Sequence, residues 1–184
     1  KSSALGLMFE VYKDGKNLFE EKMLEPEACS FVAGILGCLP ELTVFLRPTT
    51  NSYSADSRRE LGWSNLSGRF SVCIPVVAGI KGRMELTAAD PAIHPHLAYA
   101  LLIRAGLEGI RKELAMPRME TASGKLPATL RQAVTAANRG KLCKAFIPQD
   151  VLGSYLSNKQ DAVNDYTKAK KKMEFDRETY FEIL

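Results

Sequence analysis

Residues 45 to 53 read Phe45-Leu-Arg-Pro-Thr-Thr-Asn-Ser-Tyr53, an apolar end followed by a proline and a polar string. A proline among Thr, Asn and Ser residues is typical of a connection between structured regions. Upstream of the string, apolar residues recur at helical spacing, whereas downstream they alternate with polar residues. The string is therefore expected to be part of a connection between elements.

The upstream region begins with a strand pattern. Leu5, Leu7, Phe9 and Val11 alternate with other residues, which predicts a strand with one face in a core. The sequence Lys13-Asp-Gly-Lys16 indicates a turn, after which residues 17–19 start a return strand. A helix is then expected to begin at Pro26 and to end at Pro40. Its apolar residues at helical spacing are Ala28, Phe31, Val32, Ile35, Leu36 and Leu39.

Downstream, residues 41–61 are expected to be mostly connection, with a short apolar piece at 42–46. Alternation at 70–74 and 83–87 predicts two further strands. Helices are expected over about 95–114, 127–138 and 148–172, with a final helical turn or two from Asp176. Strands in the first half and helices in the second, without regular βαβ alternation, indicate an α+β fold.

The composition is that of an ordinary globular chain of 184 residues, 46% hydrophobic and 25% charged, with enough apolar side chains for one core. The net charge of +4 does not demand a polyanion, and the basic run at residues 168–172 is interpreted as a solvated helix face rather than a nucleic-acid site. No apolar run approaches the roughly 20 residues of a membrane helix, so no membrane partner is expected. The four cysteines form no CxxC pair, which favours reduced thiols in a cytoplasmic protein.

Several ordered motifs together resemble the C-terminal half of the catalytic domain of the glutamine synthetase family. They are Tyr12-Lys-Asp-Gly-Lys-Asn-Leu-Phe19, Pro48-Thr-Thr-Asn-Ser-Tyr53, Arg83-Met-Glu85, Asp90-Pro-Ala-Ile-His-Pro-His-Leu97 and Arg104-Ala-Gly-Leu-Glu-Gly-Ile110. The resemblance covers nearly all of residues 1–184. Because the chain begins without methionine and inside an apolar alternation, we expect part of the polypeptide to lie upstream.

The resemblance implies an ATP-dependent reaction with a divalent metal, in which ammonia joins glutamate through a γ-glutamyl phosphate. Phosphoryl transfer of this kind depends on positioned metals and arginines. The family's His-x-His pair falls on Gly6 and Met8, and two of its arginines fall on Cys73 and Thr87. A third family arginine falls on Gly68, one position before Arg69, and neighbours on a strand point to opposite faces.

A few residues remain as site candidates. Arg58, Arg59 and Glu60, in the loop after the polar string, could substitute for a family lid residue, although ordinary surface charge is the simpler interpretation. By this resemblance Glu85 corresponds to a metal-binding glutamate of the family, as a vestige of that site, but an ion pair with Arg83 two residues earlier on the same face is the simpler interpretation. His94 and His96 are expected to pack or cap at a helix entry instead of binding metal.

We therefore expect a catalytically degenerate family member with a structural or regulatory role in a homo-oligomer, or in a hetero-oligomer with related subunits, and no cofactor. Losing several transition-state contacts, each worth a factor of about 10² to 10³ in rate, should abolish the family reaction. The first alternative is an active ATP-dependent carboxylate–amine ligase that uses Mg or Mn and upstream residues. The second is a nucleotide-binding or amino-acid-binding module without turnover.

Overall fold

The computed structural model describes residues 5–20, 24–53, 60–66, 68–76 and 81–181. A five-stranded sheet has the order β1-β6-β5-β4-β7, and β2 and β3 form a separate hairpin. The strands are β1 (Leu5–Phe9), β2 (Tyr12–Lys13), β3 (Lys16–Asn17), β4 (Glu60–Ser64), β5 (Phe70–Cys73), β6 (Met84–Ala89) and β7 (Gly124–Lys125). The helices are α1 (Pro26–Leu46), α2 (Pro95–Arg111), α3 (Leu130–Arg139), α4 (Lys141–Phe146), α5 (Gln149–Lys168) and α6 (Lys172–Tyr180). This mixed sheet followed by helices confirms the α+β prediction.

Alternation along β1 gives the sheet its two faces. Leu7 and Phe9 are buried, whereas Gly6 and Met8 are exposed. β1 pairs antiparallel with β6, which places Leu7 opposite Leu86. β6 pairs antiparallel with β5, and Val72 there also lies opposite Leu86. One face of the sheet therefore enters the hydrophobic core, and the opposite face carries Gly6 and Met8.

The predicted turn after β1 is confirmed as a tight hairpin. Lys13 pairs with Lys16, and the two residues between them have positive φ, 50° at Asp14 and 79° at Gly15. Asp-Gly is a favoured pair for such a turn, because glycine and aspartate tolerate this backbone conformation. Lys13 and Lys16 form ion pairs with Glu27 and Glu25, which hold the hairpin against the start of α1.

The prediction that the first helix ends at Pro40 was wrong, because α1 continues to Leu46 through the proline. Residues 42–46, expected to be a short connection, form its last turn and are buried. Proline removes one backbone donor and crowds the preceding turn, which costs about 3 kcal/mol in a helix interior. Burial of four large apolar side chains at about 1.5–3 kcal/mol each outweighs that cost. These side chains are Leu42, Val44, Phe45 and Leu46.

The continued α1 also corrects the expectation that no apolar segment approaches membrane length. By length and composition this helix of 21 residues could cross a membrane, but 67% of its most apolar window is buried inside the fold. A buried core helix of a globular protein passes the same test, so the observation alone is weak support for a membrane span.

Helices α1 and α2 pack at very close range through glycines. A Cβ atom on Gly109 would lie 2.1 Å from the carbonyl oxygen of Ser30 and 2.7 Å from the Cα of Gly34. A Cβ on Gly34 would lie 2.3 Å from the carbonyl oxygen of Ala105. Side chains at these positions are therefore excluded by backbone on the facing helix, and this contact fixes α2 against the centre of the core.

The remaining helices differ from the sequence prediction mainly at their ends. α2 stops at Arg111, α3 begins at Leu130 with Thr129 as its cap, and α5 stops at Lys168. The short helix α4 was not predicted. Its start is held by Glu41 of α1, whose carboxylate accepts the backbone N–H of Cys143 at 3.1 Å. This cap comes from a distant part of the chain, so local sequence carries no signal for it.

Candidate functional site

The face of the sheet opposite the core carries a row of three side chains from adjacent strands. Met8 on β1 and Cys73 on β5 both lie opposite Glu85 on β6. Directly opposed residues in antiparallel strands share a face, so the thioether, carboxylate and thiol form one line across the sheet. The structure thus brings Glu85, Met8 and Cys73 together in one row.

Glu85 leans along this row towards β1. Its Oε1 atom lies 2.2 Å from the position that a Cβ on Gly6 would occupy. The carboxylate therefore takes space that a side chain at position 6 would need. In the described part of the chain no salt bridge joins Arg83 to Glu85, so the expectation of an ion pair between them was wrong. Glu85 remains a candidate metal ligand by alignment only.

Cys73 is buried beside this carboxylate. Burial, and secondly the negative charge of Glu85, raise the pKa of its thiol above the ordinary value. A raised pKa keeps the group as a neutral thiol at pH 7. Cys73 therefore contributes a small uncharged group to the row. The arginine that the family resemblance implies at this position would instead contribute a positive charge and several hydrogen-bond donors.

The hydroxyl groups on the same face are bonded to backbone. Thr87 Oγ1 donates to the carbonyl oxygen of Phe70 at 3.0 Å and lies 3.3 Å from that of Ser71. The hydroxyl of Ser71 donates to the carbonyl oxygen of Glu60 at 2.7 Å. These hydroxyls stabilise the sheet, and their protons are not available for a ligand.

Glu60 lies at the start of β4, where its carboxylate binds Arg69. The Arg69 Nη2 and Nε atoms are 2.8 Å and 2.9 Å from Glu60 Oε2. The Arg69 side chain is 67% exposed and its guanidinium lies 5.2 Å from the centre of the Phe70 ring. The structure therefore places Glu60 in a surface ion pair. Arg58 and Arg59 lie outside the described residues.

The two histidines are at the entry of α2. His94 is the N-cap residue, and its Nδ1 accepts the backbone N–H of Leu97 at 3.3 Å, which confirms the predicted capping role. The Asp90 carboxylate accepts the N–H of Ala92 at 2.9 Å. Within the described ranges, no three His, Cys, Asp or Glu side chains are grouped closely enough to hold a metal ion.

A cleft of about 560 Å³ opens near the ends of β4 and β5. Its walls are mainly apolar, and the indole N–H of Trp63 is bound to the carbonyl oxygen of Pro117 at 2.7 Å. Glu20, Asn65 and Lys81 are the polar residues on its lining. The sequence did not predict this cleft, because its lining brings together five stretches that are distant along the chain, at 19–24, 63–65, 74–76, 81 and 119.

The geometry of Gly6 and Glu85 gives a direct test of this face. Gly6→Ala is expected to lower the free energy of unfolding by about 1 kcal/mol, because the new methyl group must displace the carboxylate. In a Glu85→Ala background the same substitution should be neutral or slightly stabilising, since alanine is preferred over glycine in a strand. A double-mutant cycle by urea denaturation measures the coupling. Equal effects in both backgrounds would show that the two residues are not in contact.

Known proteins are similar to this chain over most of its length. The family model described as glutamine synthetase, catalytic domain, matches residues 7–178. Glutamine synthetase of Methanosarcina mazei is 30% identical over 179 residues, which is 85% of this chain and 40% of that protein. Glutamine synthetase of Thermus thermophilus is 27% identical over 198 residues, 95% of this chain and 44% of that protein. The chain thus spans less than half the length of these relatives.

Solved structures share the fold. The structure described as apo GmaS without ligand superposes with a TM-score of 0.78 at 25% identity, covering 96% of this chain and 44% of that one. A GmaS/ADP complex gives a TM-score of 0.77 at 24% identity, covering 97% of this chain and 46% of that one, and is compared for its fold alone.

Proposed function

The chain belongs to the glutamine synthetase family, as part of its catalytic domain, and from that premise we propose that it is a catalytically degenerate member with a structural or regulatory role in an oligomer. The proposal rests on which side chains share a face of the sheet with Glu85. Gly6, Met8, Cys73 and Thr87 stand there where the family resemblance calls for imidazole and guanidinium groups.

The chemistry of the family explains why these replacements matter. Transfer of a phosphoryl group requires cations around its oxygens, supplied by metal ions and arginines. A thioether is a poor ligand for hard cations such as Mg²⁺. Thr87 donates its proton to backbone, and the neutral thiol of Cys73 brings no positive charge. The four positions at which the family resemblance implies imidazole or guanidinium groups therefore supply no cationic side chain.

The retained core supports a structural role. The close contact of α1 with α2 and the buried face of the sheet require the same apolar residues whether or not the site is active. Family members act as oligomers with sites between subunits, so a folded but degenerate subunit could assemble with copies of itself or with related active subunits. Sedimentation of the full-length protein tests this, since a monodisperse monomer at micromolar concentration contradicts it.

The cytoplasm is the proposed compartment, and neither nucleic acid nor a membrane is a proposed partner. All four cysteines are free. Burial raises the pKa of Cys38 to about 11, which disfavours the reactive thiolate. The basic run near the C-terminus forms local ion pairs, between Lys168 and Asp165 and between Lys171 and Glu174. Such pairs are typical of a solvated helix surface.

Two alternatives each have one supporting observation. Glu85 keeps a carboxylate, a suitable ligand for a hard cation, at the position that the family resemblance assigns to a metal-binding glutamate. That favours an active ATP-dependent carboxylate–amine ligase that uses Mg or Mn with upstream residues. The apolar cleft with Trp63 and Lys81 favours instead a module that binds a nucleotide or amino acid without turnover.

Two assays on the full-length protein separate these functions. We expect calorimetry with Mg-ATP and with glutamate to show no binding, and we expect no ADP release that depends on glutamate and ammonia. The missing transition-state contacts together correspond to a loss of many orders of magnitude in rate, even allowing for non-additivity.

An active glutamine synthetase assayed in parallel is the positive control for both measurements. Binding without turnover would replace the structural proposal with the binding module. Glutamate-dependent ADP release that disappears in Glu85→Gln would establish the ligase and refute the degenerate assignment.

A further inference from the structure

Helix α6 buries a charge and exposes its apolar side chains. Asp176 is the one buried residue of the helix, with 6% of its surface exposed. Met173, by contrast, is 88% exposed, and Phe181 after the helix is also exposed. An amphipathic helix normally packs its apolar stripe inward, so docking of α6 does not rest on burial of that stripe.

Polar contacts hold α6 to the segment that follows α1. Thr50 Oγ1 donates to Asp176 Oδ1 at 2.5 Å. The Tyr180 hydroxyl lies 3.3 Å from Thr50 Oγ1 and accepts the Thr50 backbone N–H at 3.4 Å. Burying a carboxylate is costly unless it is hydrogen-bonded, so this latch of Thr50, Asp176 and Tyr180 stabilises the docked position of α6.

The remaining contacts of α6 are with the end of α5. The Phe175 ring meets the Tyr166 ring edge-on, with centres 5.6 Å apart. The Lys172 ammonium donates to the carbonyl oxygens of Tyr166 and Thr167 at the end of α5. Elements with little apolar burial occupy the low-stability end of a protein and can open without global unfolding.

A second cleft, of about 340 Å³, lies beside the docked helix. Its lining includes Tyr53 and three residues that α6 contacts, namely Thr50, Tyr166 and Thr167. Burial, and then the charge of Asp176, raise the pKa of Tyr166, as expected for a carboxylate held close to this phenol. Undocking of α6 would remove support from two walls of the cleft at once.

From these contacts we infer that α6 is a detachable strap, and that its latch of Thr50, Asp176 and Tyr180 controls the order of residues 50–53 and of the cleft beside them. In the docked state Thr50 is fixed from both sides, by its own chain and by α6. In the undocked state α6 leaves as a unit, and the core around α1 and α2 stays folded.

Hydrogen exchange of the full-length protein, followed by mass spectrometry, tests the strap. Thr50→Val and Asp176→Ala each break the latch, and each is expected to speed exchange of residues 172–180 and 50–53 about tenfold. Exchange of α1 and α2 should not change. The double variant should be no faster than either single variant, because both remove the same interaction.

Two further variants make the result specific. Glu178 lies on α6 but is exposed, so amide hydrogens of the Glu178→Ala variant should exchange at the wild-type rate. Asp176→Asn keeps the acceptor oxygen and should restore most of the protection that Asp176→Ala loses. The inference is overturned if α6 of the wild type exchanges no faster than α1, or if latch variants accelerate exchange equally throughout the chain.

Discussion

Replacing Gly109 with alanine is expected to lower the free energy of unfolding by about 2 to 3 kcal/mol, measured by urea denaturation. The new methyl group would lie 2.1 Å from the Ser30 carbonyl oxygen and 2.7 Å from the Gly34 Cα, both backbone atoms of α1. Backbone in the middle of a core helix cannot rotate aside as a flexible side chain can. The helices must separate, and that loosens the packing of the whole core.

Two glycines in other helical positions provide matched controls. No atom lies within 4 Å of a Cβ built on Gly37 in α1 or on Gly153 in α5. Alanine there should stabilise the protein by up to about 1 kcal/mol, which is its helix-propensity advantage over glycine. We therefore expect Gly109→Ala to lower the free energy of unfolding, and Gly37→Ala and Gly153→Ala to raise it. If Gly109→Ala were as harmless as Gly37→Ala, the two helices would not be in close contact.

Leu102→Ala is the second substitution with a large expected effect, a loss of about 3 kcal/mol in the free energy of unfolding. Leu102 is 0% exposed and lies in the hydrophobic core. Truncating it removes apolar contacts and leaves a cavity that packed neighbours fill only in part. The same denaturation experiment measures the loss.

The neighbouring residue is the control. Ile103 has a similar size, follows directly in the same helix, and is 43% exposed. Ile103→Ala is expected to change stability by less than about 1 kcal/mol, since little of its side chain is removed from water in the folded state. Similar losses for the two variants would mean that α2 presents a different face to the core.

Much of the fold could be predicted from periodicity. The alternation at 5–11 identified β1, and the helical spacing after Pro95 identified α2, because both elements bury one side only. The continuation of α1 beyond Pro40 could not be predicted in the same way. The local rule for proline is correct, but the burial of residues 42–46 depends on neighbours that the sequence does not reveal.

Part of the candidate site could also be predicted from the sequence. The family resemblance was enough to match Gly6, Met8, Cys73 and Thr87 to family site positions, and alternation along β6 predicted that Glu85 and Thr87 share a face. The lean of Glu85 over Gly6, and the use of Thr87 as a donor to backbone, arise from contacts between strands. These depend on register and rotamer, for which the sequence has no local signal.

The pairing of β1 with β6 has a consequence for synthesis on the ribosome. Leu7 pairs with Leu86, and β6 is the strand beside β1 in the described sheet. About 75 residues must be translated after β1 before its partner exists, which takes roughly 4 to 15 seconds at about 5–20 residues per second. During that interval the edge of β1 that pairs with β6 stays unpaired, and an unpaired strand edge in a nascent chain is a surface that holding chaperones can protect.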